Sequence, residues 1–434
     1  MKKTVAFHTL GCKVNQAESE AMKRLFREHG YEVVDFTEPA DVVIINTCTV
    51  THLADRKSRQ AIRQARRRNP GAVVAVVGCY TQTAPEEVAA LPGVDVLVGT
   101  RKRRDIVALV EEAARERRLI NAVGDIRGAT EFEELPLDFS SRTRAFLKIQ
   151  EGCNQYCTYC IIPYARGPIR SLAPGKVREG VETYVRKGYR EVVLTGIHLG
   201  LYGADLAGGI NLARLLAMLT TVPGLERLRL SSLEPLEVTD ELLAVMAENP
   251  KICPHLHIPL QSGSDKILKL MNRPYTRDEF SRRVQEAREL IPELGLSTDV
   301  IVGFPGETEE DFAATYDFVR FLEFSRLHVF PFSPRQGTPA AAFKGQVPPQ
   351  IKEERVHRLV ELGRQLALAF HRRHVGRSLP VLVEHERDRE TNLLAGYTGN
   401  YIRVLLEGDD NLMGEIVPVT IIEAGEEVCR GIRT

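Results

Sequence analysis

The 434-residue chain has no net charge: 58 lysines and arginines face 58 aspartates and glutamates. No global field is available to hold a polyanion, so a nucleic-acid contact would have to be a local basic patch. No run of 18 apolar residues occurs, which excludes an ordinary membrane-spanning helix. After Met1-Lys2-Lys3, the apolar stretch Val5-Ala6-Phe7 stops at His8, too short for the core of a signal peptide. Leu10-Gly11-Cys12 is for that reason not read as a lipoprotein site. Internal repeats and low-complexity tracts are also missing. These absences set the expectation of a cytoplasmic protein with no membrane partner. With 43% hydrophobic and 27% charged residues, the chain is globular in composition. Its length suits about three domains.

Against these absences stand eight cysteines: Cys12, Cys48, Cys79, Cys153, Cys157, Cys160, Cys253 and Cys429. In a long cytosolic chain they point to metal or catalytic roles rather than disulfides.

The hydrophobic pattern divides the chain. Over residues 1–122, short apolar runs at 4–9, 42–46, 73–78 and 94–98 alternate with helical patterns at 16–29, 52–68, 85–90 and 102–118. This alternation predicts an α/β domain with a parallel sheet. Residues 123–142, with Glu131 to Pro136 and Ser140-Ser141, read as a linker. A second alternation fills 143–374, with strands expected at 145–149, 191–195, 227–231, 255–259, 298–302 and 326–330. Six βα-like units predict a partial (β/α)6 barrel. A long amphipathic helix is expected over 350–374. Residues 375–434 become strand-like between Gly, Asn and Asp turns, which predicts a small β-barrel of about five strands.

Cys153, Cys157 and Cys160 form a CxxxCxxC motif. Three thiolates on one tight loop can hold three irons of a [4Fe–4S] cluster and leave the fourth open. The alternative is a zinc ion with a histidine drawn from His198, His255 or His257. The loop follows the first barrel strand, on the face where barrel active sites lie.

On these residues the chain resembles the radical S-adenosylmethionine (SAM) enzymes. The resemblance implies that the open iron chelates SAM and that one electron from the cluster cleaves it to a 5′-deoxyadenosyl radical. Cys153, Cys157 and Cys160 would then be the catalytic residues. Tyr159, next to the last cysteine, would pack near the adenine. Further strand ends fit the cofactor: Thr195 and Gly196 after the second strand, Ser231, Ser232 and Glu234 after the third, and Gln261 after the fourth. Gly303, Pro305 and Gly306, after the fifth, resemble the segment that contacts the adenine.

Cys12, Cys48 and Cys79 each follow a strand of the N-terminal sheet. Parallel strands end on one edge, so the three cysteines converge there without a local motif. The expectation is a second three-cysteine [4Fe–4S] cluster, again with an open iron. Soft sulfur ligands suit such an iron, and the cluster can carry sulfur for insertion. Cys253 and Cys429 match neither cluster and read as structural.

The paired clusters and tail barrel resemble the methylthiotransferases, whose third domain is a TRAM β-barrel. The segments Thr9 to Gln16 and Cys160 to Arg170 look like the branch acting on N6-threonylcarbamoyladenosine at tRNA position 37. The resemblance implies tRNA, an electron donor and a sulfur source as partners. Two substrates within the class stay open, a ribosomal-protein aspartate and isopentenyladenosine in tRNA. A nonenzymatic iron–sulfur RNA-binding protein is the alternative of another class.

Seven basic residues and no acid lie between Arg56 and Arg68. Arg56, Arg59, Arg63 and Arg66 share a helix face beside the cysteine edge and are expected to meet RNA phosphates. The tail carries 6 basic and 11 acidic residues from 375 to 434, which disfavours a purely electrostatic grip. The resemblance still implies RNA binding by this domain, through Tyr397, Tyr401 and Arg403, with Arg372 and Arg373 at the junction.

Overall fold

The computed structural model describes residues 2–137, 139 and 143–434. The Ser140-Ser141 part of the expected linker lies outside the described residues. The N-terminal unit is one sheet of β1 (Thr4–Thr9), β2 (Glu32–Val34), β3 (Val42–Thr47), β4 (Val73–Gly78), β5 (Val96–Val98) and β6 (Ile120–Asn121). Every pairing is parallel, in the order β2-β1-β3-β4-β5-β6. The central strands β3 and β4 are apolar on successive residues because both their faces are covered. One face packs around Phe26, Val77 and Ile106, the other around Ile62, Val74 and Tyr80.

Two helices matter for the site. Helix α1 (Lys13–Glu28) starts immediately after Cys12, three residues earlier than the pattern suggests. Helix α2 (His52–Arg68) starts at Thr51, whose side chain caps the backbone N–H of Ala54 at 3.1 Å. The short strands β2 and β6 are not foreseen, because three-residue and two-residue runs carry almost no pattern.

All six barrel strands are present: β7 (Arg144–Lys148), β8 (Glu191–Thr195), β9 (Arg227–Leu230), β10 (His255–His257), β11 (Gly295–Val302) and β12 (Arg326–Pro331). They form two parallel three-stranded sheets, β9-β8-β7 and β10-β11-β12. Leu228 of β9 bridges to Ile252, just before β10, and Leu233 N donates to His257 O at 3.0 Å. The barrel is open between β7 and β12. Helix α1 packs beside β7, and the long helix α3 (Pro349–Arg372) packs on β12.

The tail closes into a five-stranded barrel, β13 (Ser378–Arg387), β14 (Leu394–Thr398), β15 (Arg403–Leu406), β16 (Ile416–Ala424) and β17 (Cys429–Arg433), in the order β13-β14-β15-β17-β16. Its attachment to the central barrel is polar and buried. Arg229 gives Nη1 to Gly399 O at 2.8 Å and Nη2 to Thr398 O at 3.1 Å, and Arg227 binds Tyr397 O and Pro380 O. Glu191 of β8 holds the Arg229 guanidinium from the other side at 2.6 Å. Among the described residues no helix is long and apolar enough to cross a membrane.

Candidate active site

The ends of β1, β3 and β4 bring Cys12, Cys48 and Cys79 to one edge. Cys12 is exposed, Cys48 half-buried and Cys79 buried. Gly11 makes the approach possible: at φ +100°, a Cβ there would stand 2.9 Å from Cys48 Cβ and 3.1 Å from its Sγ. Asn15 ties the first two loops together by donating Nδ2 to Leu10 O (2.7 Å) and Thr47 O (2.9 Å). Burial, then the neighbouring Cys79 and Cys12 thiols, push Cys48 up to about 12. Burial raises Cys79 as well, against the pull of Arg166. A cationic metal centre would offset this burial cost by drawing the thiols into the thiolate form.

The loop after β7 carries the second triad, braced by the two-residue pairing of Gln150–Glu151 with Arg170–Ser171. Each of two thiols has its own partner from a distant part of the chain. The Sγ of Cys153 lies 3.3 Å from Nδ1 of His198, whose Nε2 is paired with Glu237. Burial opposes a charge on His198, but these two partners win and push it up to about 10. Arg273 donates Nη1 to Cys157 Sγ at 3.3 Å and is paired with Glu234. Burial and the neighbouring Cys157 thiol push Cys160 up to about 12.

The donor sets fit iron–sulfur clusters better than single ions. Thiols around one zinc ion would lie about 3.8 Å apart. Among the described residues, one group of three ligand-type side chains closes within 4.8 Å, namely His257, Asp299 and His328, and neither cysteine triad does so. The wider thiol spacing leaves room for a polynuclear group. Cys253 is buried near Arg229, and Cys429 lies in the tail core, both away from the triads.

The expected SAM residues ring the lumen at the strand ends. Half-buried Tyr159 packs edge-on to Phe304 with ring centroids 6.5 Å apart. Thr195 is buried, and Gly196 accommodates the Gln150 side chain, 2.9 Å from where its Cβ would stand. Ser232 is exposed beside Ser231, whose buried hydroxyl has no partner. Gln261, at φ 64°, likewise leaves Oε1 buried and unpartnered. Two unpartnered acceptors at the lumen mouth are groups a polar cofactor can satisfy. Glu234 instead spends its carboxylate on Arg273. Gly303, Pro305 and Gly306 form a turn fixed by Glu307, which accepts from Gly303 N at 2.5 Å and from Arg355 of α3 at 2.6 Å.

One cluster of charges joins Cys79 to the loop that carries the second triad. Arg166 gives Nε to Cys79 Sγ (3.2 Å), Nη1 to Glu18 (2.6 Å) and Glu151 (2.7 Å), and Nη2 to Asn15 Oδ1 (2.5 Å). Lys148 and Arg103 complete the buried group around Glu18, at 3.2 and 3.3 Å. Burial alone would raise Glu18, but Arg103, Arg166 and Lys148 hold it low and charged. Sequence reasoning places Arg166 in a motif without a role and misses Arg273, while His198 enters as a zinc donor and within the cofactor-groove segment after the second strand, not as a partner of Cys153. Their partners are set by tertiary contacts.

The basic face of α2 is divided. Arg56 and Arg63 are exposed. Arg59 turns to Tyr80 Oη (3.0 Å) and Glu87 (3.2 Å), while Arg66 is fastened to Gly93 O, Ala72 O and Asp95. In the tail region Arg372 is exposed, Arg373 lies 3.5 Å from Glu323, and Arg403 pairs with Asp388 at 2.8 Å.

Comparisons with known proteins agree with this architecture. Residues 4–99 match the model of Uncharacterized protein family UPF0004, 147–319 the Radical SAM superfamily and 372–432 the TRAM domain. The chain is 50% identical over 97% of its length to the threonylcarbamoyladenosine tRNA methylthiotransferase MtaB of Bacillus subtilis, covering 94% of that protein. It is 39% identical over 99% of its length to the tRNA-2-methylthio-N(6)-dimethylallyladenosine synthase of Moorella thermoacetica, covering 98% of it. In fold it is similar to the radical SAM methyltransferase TsrM of Kitasatospora setae, with a TM-score of 0.59, 17% identity, and 79% of this chain and 77% of that chain covered. With three matching domain models and such relatives along nearly its whole length, the chain belongs to the radical SAM methylthiotransferase family.

Proposed function

We propose that this enzyme replaces the C2 hydrogen of N6-threonylcarbamoyladenosine at tRNA position 37 with a methylthio group. The observation that carries the reading is the pair of separate thiol triads, on two different sheets, with Arg166 linking Cys79 to Glu151 at the start of the second triad's loop. Relatives named for the threonylcarbamoyl base, at 50% and 44% identity, support this substrate over the dimethylallyl base, at 39%.

The work is divided between residues 1–122, 143–374 and 375–434. Cys153, Cys157 and Cys160 hold one [4Fe–4S] cluster with SAM, and Cys12, Cys48 and Cys79 hold a second. When bound, these groups supply an electron for SAM cleavage and a sulfur atom for insertion, chemistry that side chains lack. The chain itself does the positioning. His198 and Arg273 fix the Cys153 and Cys157 thiolates. Ser231 and Gln261 offer their free groups to SAM, beside Tyr159 and the Gly303 to Gly306 turn. Arg166 keeps positive charge at Cys79 and favours its thiolate. The barrel lumen shields the reacting base from water. Arg56 and Arg63 approach RNA phosphates, with Arg372 beside the tail barrel. The reaction also draws on an electron donor and a sulfur source in the cytoplasm.

Mass spectrometry of tRNA nucleosides tests the reading. A strain lacking this gene is expected to lose 2-methylthio-N6-threonylcarbamoyladenosine and accumulate its unthiolated precursor. Loss of the 2-methylthio isopentenyl nucleoside instead would reassign the substrate.

A further inference from the structure

The lumen holds a pocket of about 390 Å³ that belongs to no single unit of the fold. Lys13 enters from the first turn of α1, Arg326 and His328 from β12, His257 and Asp299 from β10 and β11, and Tyr401 from the tail barrel. Ser231 and Ser232, at the expected cofactor edge, form its rim. The volume suits a small organic group rather than a lone ion.

Its charge is unusual for a protein in which most arginines are paired. Lys13 and Arg326 make no ion pair and no side-chain hydrogen bond among the described residues. The Lys13 ammonium rests instead over the Tyr401 ring, 5.7 Å from its centroid. The carboxylate of Asp299 is turned to His257 Nε2 at 3.4 Å. Burial keeps His328 below the ordinary histidine value, so it presents a neutral imidazole. Two fixed cations thus face a polar space with one carboxylate, already occupied.

We propose that Lys13 and Arg326 receive the carboxylate carried by the N6 substituent of the substrate base. The inference rests on the substrate reading above. A threonylcarbamoyl group ends in a carboxylate and a hydroxyl, whereas a dimethylallyl group is wholly apolar. An ammonium and a guanidinium bind the first by charge-assisted hydrogen bonds, and both lose their hydration without return against the second. His328 supplies a neutral ring nitrogen for the hydroxyl or the carbamoyl group. A divalent metal held by His257, Asp299 and His328 is the competing use of this cluster. The two cations in the same pocket oppose it, and Ser297 Oγ already engages His257 Nδ1 at 3.0 Å.

The test is equilibrium binding to the full-length reconstituted enzyme. The probes are three anticodon stem-loop RNAs, carrying N6-threonylcarbamoyladenosine, its threonyl methyl ester or N6-dimethylallyladenosine. The native enzyme is expected to prefer the acid over the ester by about tenfold or more. Lys13→Gln and Arg326→Gln should each erase most of that preference while leaving ester affinity unchanged, and Lys13→Arg should retain it. If the preference survives both glutamine substitutions, or the native enzyme binds acid and ester alike, the carboxylate is not read here. Turnover of the threonylcarbamoyl RNA would then leave the substrate reading standing. If the native enzyme binds and modifies only the dimethylallyl RNA, both readings fall. A stoichiometric divalent ion beyond the cluster iron, lost in His257→Ala, would assign the pocket to metal and overturn the inference.

Discussion

Arg166 of the central barrel donates a hydrogen bond to Cys79 of the N-terminal sheet across 3.2 Å, with its whole side chain buried. The same guanidinium holds Glu18 and Glu151, so one residue couples Cys79 to the start of the loop that carries the second triad. Arg166→Met leaves two buried carboxylates short of a partner. The expected loss is about 3–5 kcal/mol in urea unfolding. Arg166→Lys keeps a charge but not the planar fork, and should recover only part of it. Equal stability in all three proteins would remove the bridge from the account.

The two triads should separate by mutation. Cys157→Ala is expected to abolish 5′-deoxyadenosine formation from SAM, and Cys48→Ala to spare it while stopping sulfur insertion. Iron analysis should give about eight per chain in the parent and about four in either variant. Equal loss of 5′-deoxyadenosine in both variants, with the other cluster intact, would contradict separate roles.

Gly11→Ala tests the close approach of the first two cysteine loops. The added methyl meets Cys48 directly, on a backbone at φ +100°. Strain of roughly 1–3 kcal/mol is expected, together with iron content falling toward that of Cys48→Ala. Gly30→Ala, also at positive φ but with nothing within 4 Å of the new methyl, should cost stability without losing iron.

Glu191 links acid stability to tail docking. Burial would raise its carboxyl, but Arg229, then Arg144 and Arg227, hold it low. The folded value lies below the unfolded one, so its contribution is complete above the unfolded value of about 4.3. It is lost as pH falls through the folded value. Glu191→Gln should therefore destabilise by about 3 kcal/mol near pH 7, with the gap to the native protein narrowing in acid. Thermal melts at pH 7 and pH 3.5 measure it, and a gap that widens in acid would reverse the assignment.

The basic helix face makes a split prediction. Arg56→Ala and Arg63→Ala should each lower the salt slope of tRNA binding by about 1 without changing the melting temperature. Arg66→Ala should chiefly lower the melting temperature, because Arg66 clasps Asp95 and three backbone carbonyls.

The cysteines were readable because parallel strands share an edge, a rule that needs only the order of elements. The barrel strands were readable because short strand-like segments recur in alternation with helical patterns. The residues that tune the thiols were not. Arg166, Arg273 and His198 lie 87, 116 and 45 positions from the cysteines they touch, and no periodicity spans such gaps. Helical spacing put Arg56, Arg59, Arg63 and Arg66 on one face. It could not tell that Arg59 and Arg66 fold back onto the protein, since that depends on Glu87 and Asp95 arriving from other elements.

The lumen pocket takes one wall from each of the three units, and this gives the site a chronology. Domains of a nascent chain fold from the N-terminus onward. Lys13 and both cysteine triads are thus in place well before Tyr401 leaves the ribosome. A stalled or clipped chain would own every thiol ligand and still lack a finished chamber. The tail barrel, through one aromatic ring, works as a seal of completion: the reaction vessel exists only once the whole chain has been made.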